Sequence, residues 1–256
     1  MTTGLSYDGT VSGTTNFVTQ IATMSVVPST DPNFLAALPQ AITYAENRLY
    51  RELDFLSTVT ALTTSPSTAA AYTLTPGARQ LAVPVGDFVT IQEANVITPA
   101  NTLVANNGAR NPMTPVTKEF LTMVYPANNN ASVPVYFAML NQNTFLVGPW
   151  SDNTYLVEII GTIRPQSLGN GTNNTTNTTF ISLYLPDMMI MATMIYISAY
   201  QRNFGRQSDD PQMAQSYESQ YQSLLKGAMV EEARKKFQAG GWTSMAPAVV
   251  ASPTRG

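Results

Sequence analysis

The sequence predicts an α+β protein. It reads as a helical core of three main helices with a small antiparallel β-barrel or sandwich inserted, an extended N-terminal arm and a C-terminal tail. Three observations predict this. Apolar residues step by three and four along 29–56 and again after residue 180. Short apolar runs alternate with turn residues between 57 and 165. The ends, 1–28 and 238–256, show no sustained period.

Residues 1–28 are rich in Thr, Ser and Gly with single apolar residues, which reads as an extended arm. The stretch has neither a basic start nor a continuous apolar run, so it does not read as a signal peptide. Ser29-Thr30-Asp31-Pro32 is a helix start: capping residues, then proline where a missing N–H does no harm. Pro39 predicts a restart or kink. Beyond it Ile42, Ala45, Leu49, Leu53 and Leu56 form one face. Glu46, Asn47, Arg48, Arg51 and Glu52 form the other, with Arg48 and Glu52 one turn apart. Only 11% of the chain is charged, yet Glu46, Arg48, Arg51, Glu52 and Asp54 crowd into positions 41–56.

From 57 to 165 the strand-like runs are AYTLT, RQLAVPV, FVTIQEANVI, VPVYFAML, TFLVGP and TYLVEIIGTI. Asn141-Gln142-Asn143 and Ser151-Asp152-Asn153 separate the last three, so 133–164 reads as a three-strand meander. TKEFLTMVYP reads as a short helical interruption. An Asn/Thr-rich loop follows at 166–179. Asn130, Asn170, Asn173, Asn174 and Asn177 stand in glycosylation sequons, but without a signal peptide a solvated loop is the better reading.

The segment 180–200 is apolar nearly all round, as a central core helix is. Pro186 and Asp187 interrupt it, and it is too short to span a membrane. Its methionines read as gap-fillers rather than a ligand patch. Asp209-Asp210-Pro211 starts the last helix, with Ala214, Tyr217, Tyr221, Leu224, Leu225 and Ala228 on its apolar face. Glu231 with Lys235 and Glu232 with Lys236 are spaced as one-turn ion pairs. Arg234, Lys235 and Lys236 sit where a helix C-terminus favours positive charge. Gly240 and Gly241 then open a tail that holds Trp242, Met245, Val249 and Val250.

Composition excludes much chemistry. The chain has no His and no Cys, so a Ser-His-Asp triad, a Cys-His pair and the usual zinc sites are out. A net charge of −3 is no footprint for gripping nucleic acid. Asp87 with Glu93, and Asp152 with Glu158, are the carboxylate pairs that could run glycoside hydrolysis. No motif fixes their geometry, and each stands where a turn or a wet strand face wants charge. The expectation is therefore a non-enzyme with no cofactor and no metal.

The order of arm, amphipathic helix, β insert, core helix, long helix and tail resembles the head-to-tail connector, or adaptor, proteins of tailed bacteriophages. AENRLYRELDFL (45–56), VPVYFAMLNQNTFLVGPWSDNTYLVEIIGTIRP (133–165), LYLPDMMIMATMIYISAY (183–200) and the Tyr217/Tyr221 helix carry the resemblance, over roughly 33–237. The Asn/Thr-rich loop and the long arm depart from the pattern. The resemblance implies a structural virion protein in a homo-oligomeric ring of twelve copies between the portal protein and tail nozzle, tube or fibre proteins. It implies assembly in the bacterial host cytoplasm, no membrane, and a lined channel through which DNA passes without specific binding. It casts Glu46, Arg48, Arg51 and Glu52 as an inter-subunit face, and Trp242, Met245, Val249 and Val250 as a portal-contacting tail. The alternatives are a tail-tube or fibre-attachment protein, or a tail-associated carbohydrate hydrolase.

Overall fold

The computed structural model describes residues 4–102, 104–169, 177–201 and 212–250. The chain divides into two compact units, one of residues 1–57 and 165–256, the other of residues 58–164. Among the described residues it is α+β, with six α-helices and three open sheets.

The first unit is helical. Its arm is not merely extended. Strands β1 (Leu5–Ser6) and β2 (Thr15–Asn16) pair in parallel, and Asn16 caps helix α1 (Phe17–Met24). Phe17 and Ile21, one turn apart, are fully buried. That spacing marked a helix, hidden among Thr and Gly.

Helix α2 (Pro32–Glu52) starts where its signal stands: Asp31 Oδ1 accepts the Asn33 and Phe34 N–H groups at 2.8 and 3.0 Å. It runs unbroken through Pro39 rather than restarting there. Phe34, Leu38, Ala41, Ile42, Ala45 and Leu49 bury one face at steps of three and four.

The segment 180–201 forms two helices, α4 (Phe180–Tyr184) and α5 (Pro186–Gln201), because Pro186 cannot continue the first. Helix α5 supplies Met188, Met189, Ala192, Met194 and Ile197 to the core. Helix α6 (Gln212–Val250) adds Tyr221, Leu225 and Ala228. Asp209-Asp210-Pro211 and half of the Asn/Thr-rich loop, residues 170–176, lie outside the described residues. The expectation that Gly240 and Gly241 open a tail is corrected: the α6 backbone continues through both glycines to Val250. Glycine has weak helix propensity but does not forbid the conformation.

The second unit is β. In one sheet β11 (Tyr155–Thr162) lies between β3 (Val59–Leu62) and β6 (Thr90–Thr98), β6 also pairs with β7 (Ala109–Pro112), and β4 (Thr73–Leu74) adds to β11. The other runs β5 (Gln80–Ala82), β10 (Thr144–Gly148), β9 (Tyr136–Asn141), β8 (Thr114–Pro115), its last pair parallel. Tyr72, Val96, Val157 and Ile159 share one core with Leu81, Phe137, Phe145 and Val147. Neither sheet closes, so the barrel alternative is corrected.

The predicted meander also breaks. Strands β9 and β10 form a hairpin, but β11 pairs in the other sheet. Pro149 has no N–H for a ladder, and the Ser151-Asp152-Asn153 turn carries the chain across. Gly161 sits at the β6–β11 irregularity, where a Cβ would stand 2.3 Å from the Thr90 carbonyl. The expected short helix is present as α3 (Lys118–Val124), capped by Thr117.

Candidate interaction surface

The α2 periodicity that buries Ala41, Ala45 and Leu49 also turns Glu46 inward, although Glu46 was expected among the outward charges. Its side chain is 3% exposed. Both carboxylate oxygens accept the Leu168 N–H, at 3.0 and 3.2 Å. Burial pushes its pKa up to about 7, against the lowering pull of Ser167 and the Leu168 amide. A group so enclosed within its own chain offers nothing to a neighbour, so Glu46 leaves the expected inter-subunit face.

Arg48 is also occupied. Its Nη1 and Nη2 donate to Glu218 Oε2 and Oε1 at 2.7 and 2.5 Å, and its Nε donates to Glu52 Oε1 at 3.0 Å. The guanidinium lies 4.3 Å from the Tyr221 ring centre, and the Tyr221 hydroxyl donates to Glu52 Oε2 at 2.5 Å. One arginine thus fastens α2 to α6 through a bidentate fork and a stacked ring. The Arg48 hydrogen bonds hold the Glu218 carboxyl below its usual range. Burial, then Glu52, pushes the Tyr221 hydroxyl up. Of the four expected face residues, Arg51 alone is exposed.

Lower on α6, Glu232 is buried and accepts the Leu56 N–H at 3.2 Å and Lys235 Nζ at 2.7 Å. Lys235 also meets Glu231, as its spacing predicts. Lys236 pairs with Asp54 rather than with Glu232.

Several large apolar residues also stay exposed. On α6, Met229, Val230 and Phe237 face solvent, Phe237 at 82%. Val230 and Phe237 are seven apart, so they share a helix face, a signal the sequence carries and the expected faces do not include. In the β unit, α3 covers Leu121 over Ala138 and Leu146 but leaves Phe120, Met123 and Val124 outside. Between α2 and α5, a cleft of about 210 Å³ is lined by Ala37, Gln40, Ala41, Tyr44, Tyr196 and Ile197. It falls short of the roughly 300 Å³ that small-molecule sites begin at, so a side chain suits it better than a cofactor. Trp242, Met245, Val249 and Val250 lie on the α6 backbone, and their side chains lie outside the described residues.

Most of the carboxylates in the two candidate pairs have hydrogen-bond partners within the β unit. Asp87 is buried and takes hydroxyl hydrogen bonds from Ser67 at 2.6 Å and Tyr72 at 2.7 Å. Burial raises its pKa, but the Ser65, Ser67 and Tyr72 hydroxyls outweigh that and hold it below the usual carboxylate value. Glu93 is exposed on β6. Asp152 accepts the Tyr155 hydroxyl at 2.9 Å; burial and then Asp152 push that hydroxyl up to about 12. Glu158 is held by Arg110 Nε at 2.9 and 3.0 Å and by Asn95. Three of the four carboxylates are thus committed to fastening their own unit.

Among the described residues no group of three acidic side chains is placed to hold a metal, and no helix is long and apolar enough to cross a membrane. A search of curated proteins gives no match. The family model described as SU10 adaptor protein matches residues 17–250, which takes in the helical unit on both sides of the β unit. The chain belongs to the SU10 adaptor protein family, a family of phage adaptor-type proteins.

Proposed function

We propose that this protein is the head-to-tail adaptor of a tailed phage: a structural virion component that forms a ring, twelve copies by resemblance, between the portal and the tail. The family match over 17–250 carries the reading. Two further features support it. Charge is only 11% of the chain, and large apolar residues are exposed on α3 and α6. Contiguous exposed apolar patches mark surfaces that partners complete. In the ring, neighbouring copies cover these faces through a heterologous contact that closes by rotation. Arg51, left exposed on α2, belongs to that contact. Trp242, Met245, Val249 and Val250 contact the portal. DNA passes down the channel without being gripped, in keeping with the −3 charge per copy. No catalytic step is assigned, because Asp87, Asp152 and Glu158 are held by hydroxyls and Arg110. Electron microscopy of the purified chain mixed with its portal tests the reading; rings seated on portals are expected.

A further inference from the structure

The chain leaves the helical unit after Ser57 and returns to it at Pro165. A buried glutamate side chain grips the backbone at each crossing. On the way out Glu232 holds the Leu56 N–H, and Lys235 neutralises it. On the way back Glu46 holds the Leu168 N–H with both oxygens. The two clamps differ in one respect: among the described residues no lysine or arginine pairs with Glu46.

The returning segment is seated closely. Leu168 is fully buried in the helical core, and the Thr43 and Ser167 hydroxyls meet at 3.3 Å. A Cβ on Gly169 would stand 3.0 Å from the Pro39 Cα, so the backbone passes directly against α2. No ionisable side chain lies between Pro165 and Gly169, nor on α1. The charge on α5 is Asp187, which accepts the Met188 N–H, and its Tyr196 rests on Tyr44. On α6, Glu218 and Tyr221 are taken by Arg48 and Glu52. Tyr50 stands one turn further along α2.

We propose that Glu46 is a proton-controlled latch on the returning chain: protonated, it lets residues 165–169 dock against α2; ionised, it drives them off. The physical reason is desolvation. A carboxylate shut in an apolar core without a cation is costly, and opening returns it to water. Burial lifts the folded-state pKa to about 7, so the latch works in the weakly acid to neutral range. This inference does not rest on the adaptor reading.

Hydrogen exchange of the full-length protein, corrected for the intrinsic pH dependence, tests it. Opening at 165–169 is expected to rise about thirtyfold from pH 5 to pH 7 and then level off, as linkage requires of a carboxyl with a raised folded-state pKa. The outgoing segment 53–57, whose clamp has its lysine, is measured alongside for comparison. Glu46→Gln is expected to remove the rise. Ser167→Ala, which removes a hydrogen bond to the ionised form, is expected to move the plateau to higher pH. It remains informative if the Gln variant fails to fold. A flat native profile at 165–169, an unchanged rise in Glu46→Gln, or an unmoved plateau in Ser167→Ala would each overturn the latch.

Discussion

Arg48 and Glu218, 170 positions apart in the chain, meet as a two-pronged fork with N–O distances of 2.7 and 2.5 Å. The fork holds the helix before the β unit to the helix after it. Arg48→Ala removes the fork, the Glu52 bond and the cation over Tyr221 together. It is expected to cost about 2 kcal/mol, in the range for charged hydrogen bonds that lose one partner. Arg51→Ala, on the exposed side of the same helix, is expected to change stability by less than about 0.5 kcal/mol. Urea unfolding compares the two. Equal effects would mean the fork contributes nothing.

Arg48→Lys is a finer version of the same comparison. Lysine keeps the charge but cannot form the planar fork or stack as well on Tyr221. It is expected to recover less than half of the loss in Arg48→Ala. Full recovery would show that charge alone matters at this position.

Two buried carboxylates give stability opposite slopes with pH. Glu46 has a raised folded-state pKa, so its contribution is fully present below its unfolded value of about 4.5 and is lost as pH rises to about 7. Native protein is expected to lose about 3 kcal/mol across that window relative to Glu46→Gln. Asp87 has a lowered pKa, so its contribution is present above the unfolded value and is lost as pH falls through the folded one. Asp87→Asn is expected to flatten the acid limb of the unfolding profile. Thermal melts of the three proteins from acid to neutral pH check both signs. A native profile that tracks Glu46→Gln from pH 4.5 to 7 would refute the first.

Much of the helical unit was legible because its signals are local. Asp31-Pro32 starts α2, and the steps through Leu38, Ile42, Ala45 and Leu49 define its buried face. Glu46 departs from the expected outward face, because a charged residue can be buried where the backbone supplies a partner. Its partner, the Leu168 N–H, is 122 positions away, and no local pattern announces it. Strand positions were mostly readable, but the sheet partner of β11 was not, since pairing is a long-range choice. The exposed face of α6 is legible in the seven-residue spacing of Val230 and Phe237.

Phe237→Asp separates folding from assembly. Phe237 is largely exposed, so its loss is expected to leave the unfolding midpoint within about 0.5 kcal/mol of native. Under the adaptor reading the same change weakens attachment to portal-bearing heads or closure of the ring. Sedimentation and head-binding assays measure this. Native-like assembly by Phe237→Asp would exclude this helix face as an interface.

Deletion of residues 240–256, or Trp242→Ala, tests the portal contact. An aromatic anchor in a partner's groove is worth about 2 kcal/mol or more on truncation. Portal attachment is expected to weaken at least tenfold while the core unfolds as before. Unchanged attachment would place the contact elsewhere on the chain.

Electron microscopy of the full chain, alone and mixed with its portal, tests the central claim most directly. The account predicts closed rings seated coaxially on the portal, with the rings depending on the portal or greatly favoured by it. Particles that stay single at every concentration and leave portals bare would contradict it.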